Sequence, residues 1–241
     1  MTVTSAPHRG GHAAHRSQLA LITGLIAVVV LATVGLVRVI RSSGPPGTGA
    51  QGSGIAAAQT RTVGQFSGLD LAGSSPVTVV VGAPQSVVVH ADSNLLGDVT
   101  TRVVSGTLVI ATTGSFSARS PMRVDVSVPA LTAVHLSGSG LLSVTGIKAP
   151  ALTMTLSGSG NLTAAGTATR LDVTLDGSGQ AQLSQLTASD VHAVLSGSGV
   201  IQVTATTSLD AAVPGSGAIF YAGNPSRVTT SVTGSGVVMR G

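Results

Sequence analysis

The chain has no cysteine and no tryptophan, only one tyrosine and three phenylalanines, and just 8% of its 241 residues are charged. Each shortage removes a class of explanation. Without cysteine there can be no disulfide, thiolate metal site, cysteine nucleophile or lipidated-cysteine anchor. Charge is far below the roughly 25% usual for soluble globular domains. The net charge of +4 also has an informative location. Arg9, Arg16, Arg38 and Arg41 have no acid among them, whereas from residue 42 onward eight Lys plus Arg face eight Asp. The folded part is formally neutral, which excludes a nucleic-acid binder, since that needs a basic patch on the fold itself. No G-x-S-x-G elbow, Walker loop or metal-protease motif is present. A G-x-G-x-x-G match at Gly47, Gly49 and Gly52 follows Pro45-Pro46 rather than a strand, and so lacks the context of a dinucleotide site.

What is present begins with an apolar run. Residues 17–37 carry no charge and are dominated by Leu, Ile, Val and Ala. As a helix this run would be about 31 Å long, which matches a hydrocarbon core of about 30 Å. A cleaved signal peptide would have a shorter apolar region leading straight to a small-residue site. Here Arg38 and Arg41 follow instead. The expectation is a single-pass anchor in the lipid bilayer, with a basic tail at 1–16 and a Gly/Pro/Ser linker at 38–60. The β-rich remainder is expected outside the cytoplasm. His8, His12 and His15 lie in the basic tail without a nearby carboxylate and read as a solvated segment, not a metal site.

The second half is punctuated by six Gly-Ser-Gly triplets, at Gly138 and Gly140, Gly158 and Gly160, Gly177 and Gly179, Gly197 and Gly199, Gly215 and Gly217, and Gly234 and Gly236. Successive triplets start 20, 19, 20, 18 and 19 residues apart. Two residues before each triplet stand Leu136, Leu156, Leu175, Leu195, Val213 and Val232. Four residues after its first glycine stand Leu142, Leu162, Ala181, Ile201, Ile219 and Val238. The residues between are mostly Ser, Thr, Gln, Asp or His, which is the period of 2 of strands with one buried face. A 20-residue period of this kind predicts an all-β parallel solenoid over residues 131–241, with one coil per repeat. Equivalent residues would stack about 4.8 Å apart, so narrow aliphatic ladders fill the core and aromatics are not needed. The glycines are expected as corners, and the serines as a stacked hydroxyl ladder. Residues 61–130 are less regular and are expected to cap the solenoid. Leu69 to Val79 reads as a degenerate coil, with hairpin turns at Val104-Ser105-Gly106-Thr107 and between Val81 and Val87. The coil of the last triplet looks thinly protected, which makes it a candidate for self-association.

One charged patch interrupts the bland outer surface. Five residues before the triplets the outward column reads Ala133, Thr153, Asp172, His192, Asp210 and Thr229. Arg170 and Asp190 would be neighbours two residues earlier. These five charged or titratable residues are the candidate binding residues, and Asp172, Asp190 and Asp210 are the only candidates for carbohydrate-active chemistry. Asp172 and Asp210 would lie two coils apart, about 9.6 Å, too wide for a retaining carboxylate pair and at the wide edge for an inverting one. Alternating charge across stacked strands is also an ordinary structural device. Gln182 and Gln202 should stack as amides, and Asn161 should face outward beside Gln180, where amides could meet sugar hydroxyls.

The arrangement resembles the bacterial auto-transporter adhesin, head GIN domain family. The resemblance covers about residues 62–241 and rests on Val63 and Phe66, Leu69-Asp70-Leu71, Ser86-Val87-Val88-Val89, the Gly106-Thr107-Leu108 turn and the repeated Leu-Ser-Gly-Ser-Gly. It implies a right-handed β-helix and a role in cell adhesion, with no catalytic residues to carry over and no cofactor. Many members look like lipoproteins or secreted proteins, and a membrane helix would be a departure. The reading that follows is a non-enzymatic, adhesin-like surface scaffold with a cell-wall or polysaccharide ligand; a β-helical carbohydrate-active enzyme and a purely structural envelope protein are the alternatives.

Overall fold

The computed structural model describes residues 49–241. The expected basic tail, the anchor at 17–37 and the first part of the linker lie outside the described residues. Among the described residues no helix is long and apolar enough to cross a membrane. They form seventeen strands and a single 3-10 turn, Leu96–Asp98. In chain order the first nine strands are β1 (Ala50–Gln51), β2 (Ala56–Thr60), β3 (Gly68–Ala72), β4 (Val77–Val81), β5 (Ser86–Asp92), β6 (Val99–Val104), β7 (Thr107–Thr112), β8 (Phe116–Ser117) and β9 (Arg123–Val128). The repeat region supplies β10 (Ala133–Gly138), β11 (Leu141–Gly158), β12 (Asn161–Gly177), β13 (Gln180–Leu195), β14 (Val200–Val213), β15 (Ala218–Ala222), β16 (Arg227–Val232) and β17 (Val237–Arg240).

The repeat region is the expected β-solenoid. Each of β11 to β14 runs round most of a coil, so its two halves belong to different faces. One face, A, stacks β3, β10, the second halves of β11 to β14, and β16, all parallel. The other, face B, stacks β9, β4, the first halves of β11 to β14, β15 and β17, also parallel. A short third side aligns Ile147 with Gly166 and Leu186. Register follows the Gly-Ser-Gly spacing: Leu136, Leu156, Leu175 and Leu195 pair in turn on face A, and Leu142, Leu162, Ala181 and Ile201 on face B. All of these side chains are buried. Full burial of each leucine contributes about 1.5–3 kcal/mol, and the ladder repeats that gain coil after coil.

The corners explain the glycines. At four of the six turns the N–H after the first glycine bonds to a carbonyl of the corner below, as in Ser159 N to Gly138 O at 3.0 Å and Ser178 N to Gly158 O at 3.0 Å. The two backbones are so close that a Cβ on Gly177 would stand 2.3 Å from Gly158 O. A Cβ on Gly179 would meet Gly160 O at 2.5 Å and Leu156 Cδ2 at 2.8 Å. The second glycine is therefore squeezed from two directions, by the corner below and by the leucine ladder inside. The serines between the glycines are exposed, and no hydrogen bond joins one to the next. The expected hydroxyl ladder is a column of free hydroxyls instead.

The N-terminal region is a coil with an inserted cap. Leu69 pairs with Val134 and Leu71 with Leu136, so the degenerate repeat is a true coil of the stack. Residues 82–132 then leave the stack and return beneath it, with β7 parallel to β3 and β9 parallel to β4. Beyond them the pairing turns antiparallel: β6 on β7, β5 on β9, and β2 on β5. The turn at Ser105-Gly106 is the expected hairpin, with φ of 49° and 76°. The turn between Val81 and Val87 is not a hairpin, because β9 inserts between β4 and β5 and pairs with both. The later part of the expected linker is also corrected, since β1 pairs with β8 and β2 with β5. A Gly- and Ala-rich composition resembles a linker, but small side chains also suit a strand laid over a cap edge that would otherwise have unpaired backbone groups.

Asp92 pins that overlay. Its side chain has no exposed surface and accepts bonds from Gly54 N at 3.0 Å, Arg119 N at 2.7 Å, Ser120 N at 3.3 Å and Ser120 Oγ at 2.7 Å. The Arg119 N–H holds its carboxyl below the ordinary value against the opposing effect of burial, and the Ser120 and Gly54 donors add to the lowering. These are donors to the charged form, so they favour ionisation.

Two predictions follow from the corner and the clamp. Gly179→Ala should cost about 3 kcal/mol in urea unfolding through overpacking, while Ser178→Ala, at an exposed position, should stay within about 0.5 kcal/mol of the parent. Because the Asp92 pKa is depressed on folding, its contribution should be complete above about pH 4 and disappear as pH falls through the lowered value. Asp92→Asn should therefore lower the unfolding midpoint at neutral pH and converge with the parent in acid.

Candidate functional site

Face A brings the predicted column together. Asp172 pairs in register with His192, and His192 with Asp210; Thr153 and Thr229 flank them. Two positions earlier Arg170 aligns with Asp190, Asp190 with Ser208, and Ser208 with Arg227. The spacing thus placed all five candidate residues in one patch. Their contacts are local. Arg170 donates two bonds to Asp172 within its own strand, Nε to Oδ2 at 2.9 Å and Nη2 to Oδ1 at 2.8 Å. His192 Nδ1 lies 3.2 Å from Asp210 Oδ2, and Ser208 Oγ donates to Asp190 Oδ1 at 2.5 Å. The bond from Asp172, then its charge and that of Asp190, raise the Arg170 pKa above its ordinary value.

Every carboxylate in this patch is engaged by a neighbour. A general acid or nucleophile would need a carboxyl free to meet substrate at hydrogen-bond range. The depression over the patch, lined by Arg170, Asp190, Val191, His192, Ser208 and Asp210, holds about 130 Å³. Sites for small molecules run to roughly 300–1,000 Å³. Among the described residues no group of three or more His, Asp or Glu side chains is placed to hold a metal ion. Exposed pairs of this sort contribute about 0.2–1 kcal/mol each to cross-strand pairing.

Face B has different chemistry. Its outward side chains from β4 to β17 include Thr78, Ser143, Thr163, Gln182, Gln202 and Phe220, and none is charged. A shallow depression of about 220 Å³ lies over Ser143, Thr145, Thr163, Gln182, Ser184 and Gln185. Gln182 and Gln202 are in register, but the amide bond runs along the strand instead, from Gln182 Nε2 to Gln180 Oε1 at 3.0 Å. The expected amide stack is therefore not hydrogen-bonded from coil to coil. Asn161 is half-buried and its Oδ1 has no protein partner.

Two His–Asp contacts escaped the sequence reading. His135 Nδ1 lies 3.1 Å from Asp70 Oδ1 across the junction of β10 and β3, although the angle is poor and that oxygen has no well-formed hydrogen bond. The Asp70 contact raises the His135 pKa above its ordinary value, burial opposes it, and the Asp70 charge adds to the rise. His90 Nε2 lies 3.0 Å from Asp125 Oδ2, which Arg123 Nε also reaches at 3.2 Å. Aligning Leu69-Asp70-Leu71 with Val134-His135-Leu136 would have exposed the first contact. The second depends on β5 and β9 meeting antiparallel, which no repeat signals. A raised His135 pKa gives stability that is complete below about pH 6.5 and is lost as pH rises through the raised value. Thermal melts across that range should show this decline in the parent and a flatter profile in His135→Gln.

A search of curated proteins finds no match. Solved structures do match in fold. A crystal structure described as a putative adhesin from Bacteroides fragilis superposes with a TM-score of 0.65 at 21% identity, covering 80% of this chain and 100% of that one. Another so described, from Parabacteroides merdae, gives 0.51 at 17% identity, over 80% and 98%. One from Parabacteroides distasonis described as a putative lipid binding protein gives 0.50 at 20%, over 79% and 98%. At such identities the likeness establishes the fold alone. A family profile is more direct, matching residues 65–225, the span from the first coil through β15. The chain belongs to the family described as "Putative auto-transporter adhesin, head GIN domain".

Proposed function

We propose that this protein is a non-enzymatic, adhesin-like binding scaffold whose face B lies against a neutral polysaccharide of a cell wall or neighbouring surface. The observation that carries this reading is the uncharged face whose outward column is hydroxyl- and amide-lined from β4 to β14, Thr78, Ser143, Thr163, Gln182 and Gln202, and ends in apolar Phe220 and Met239. Its amides and hydroxyls both donate and accept, as sugar hydroxyls do, and they recur at the coil spacing of about 4.8 Å. Phe220 and the exposed Leu141 offer apolar contact for the carbon faces of sugar rings. Family membership supports a surface-exposed protein. The apolar run at 17–37 supports a single-pass anchor with the β domain outside the cytoplasm. A right-handed wind agrees with the strong preference of parallel crossover connections for that hand.

The test incubates the full chain with purified cell-wall and polysaccharide preparations and measures both retention and newly released chain ends. Retention on a neutral polysaccharide, weakened at least about tenfold by a Gln182→Ala, Gln202→Ala double variant, is the expected result, since the substitutions leave several bonding groups unpaired. Release of chain ends that disappears with Asp172→Asn or Asp210→Asn would overturn it in favour of a carbohydrate-active enzyme. Neither retention nor release would favour a structural envelope role.

A further inference from the structure

The coil of β16 and β17 differs from every coil before it. Its inward residues Val228 and Val232 are 41% and 43% exposed, whereas Leu209 and Val213, stacked directly against them, are 1% and 0% exposed. Thr230 lies inward between them, opposite the buried Ala211. At the other end of the stack the corresponding apolar residues, Leu69, Leu71, Val77 and Val79, are buried beneath the cap strands β7 and β9. Among the described residues the solenoid thus has one covered end and one uncovered end.

Among the described residues, half of the backbone groups on the edge of the last coil have no partner, and they are regularly placed. On face A the outward residues bond back to the coil beneath, as in Thr153 N to Thr132 O at 3.0 Å, Ser196 N to Leu175 O at 2.9 Å and Thr233 N to Val213 O at 3.2 Å. By the alternation of a strand, the N–H and C=O of Val228, Thr230 and Val232 then point off the free edge. On face B, Val237 N bonds back to Gly217 O at 3.0 Å and Gly241 N to Tyr221 O at 2.9 Å, which leaves the groups of Val238 and Arg240 facing outward. An unpaired apolar edge of this kind is a template for another strand.

We propose that two copies of this chain pair end to end through β16, antiparallel about a two-fold axis at Thr230. This register is self-complementary. Val228 stands opposite the partner's Val232 on the inward side, Thr230 opposite its own copy, and Thr229 opposite the partner's Ser231 on the outward side. No charged residue faces another, because Arg227 falls opposite the partner's Thr233. The residues that come into register are the ones whose N–H and C=O groups are free, so each opposed pair exchanges two backbone bonds. Apolar side chains now exposed would meet across the axis, continuing the aliphatic ladder from one molecule into the next. The antiparallel cap blocks head-to-tail stacking, so the contact closes as a dimer instead of growing into a fibre. The surface involved is small, and pairing is therefore concentration-dependent. It does not depend on the reading of face B, since the paired strand belongs to face A.

The complete absence of cysteine makes the test direct. A single Thr230→Cys in the full chain places two thiols on the axis about 5.5 Å apart by Cα, within the range of about 4.4–6.8 Å that a disulfide spans. Under mild oxidation this variant should form covalent dimers at least about tenfold faster than Thr153→Cys, an exposed position in the middle of face A, because pairing raises the local thiol concentration. Adding Val228→Asp to Thr230→Cys should reduce the rate to that of Thr153→Cys. Equal rates for the two single variants would overturn the proposal, even if polysaccharide retention is observed.

Discussion

The structure depends on how closely one backbone can lie on the next at the Gly-Ser-Gly corners. A carbonyl of each corner occupies almost the space where a side chain on the corner above would begin; a Cβ on Gly197, for example, would fall 1.8 Å from Gly177 O. This contact fixes the rise per coil, and the rise fixes everything else. It sets the strand spacing on both faces, brings leucine above leucine, and aligns outward residues from distant parts of the sequence into columns. The aliphatic ladders contribute most of the favourable energy, but the corners determine where each rung sits. A narrow cross-section follows. Alanines at 193 and 211 and at 181 fill positions that larger residues occupy in other coils, which is why a chain with almost no aromatic residues can bury a continuous core.

The two faces built on this frame are chemically unlike, although the same corners position them. Face A carries the patch of Arg170, Asp172, Asp190, His192 and Asp210, held in local contacts, whereas the outward residues of face B from β4 to β15 carry no charge. Segregation of this sort does not come from the packing requirement, since either face tolerates any outward residue that suits a strand. The paired charges of face A limit what those side chains can offer to a ligand, whereas on face B Thr78, Ser143 and Gln202 make no side-chain hydrogen bond among the described residues, although Thr145, Thr163 and Gln182 do.

Much of this was legible in the sequence because the repeat is itself a coordinate system. Once the triplets gave the period, Leu136 had to stack on Leu156 and Asp172 had to meet His192, and both do. Legibility stopped where the period stopped. The pairing of β9 between β4 and β5, the grip of Asp92 on residues 54, 119 and 120, and the return of β2 over the cap all arise from non-local antiparallel contacts that leave no spacing to read. Even within the repeat, register told which side chains would be neighbours but not which would bond. Gln182 turned along its own strand to Gln180, and Arg170 turned along its strand to Asp172, because the i, i+2 neighbour on the same face lay within easier reach than the next coil.

The inserted cap has a consequence for the order in which the chain can fold. Most coil-to-coil bonds join residues about 20 apart in sequence, as from Thr204 to Ser184, but the first coil meets its successor only across a separation of 66, from Ser137 to Leu71. Closing a longer loop costs more entropy and slows the step that needs it. The short-range coils from β10 onward can therefore assemble by successive local closures, each on a template already formed. The first coil is synthesised earliest yet must wait for the cap to be threaded beneath it and for β10 to arrive. In a chain emerging from its N-terminus, the first coil is made before the others yet completes its pairing late, and until then its strands β3 and β4 lack the neighbours β10 and β11.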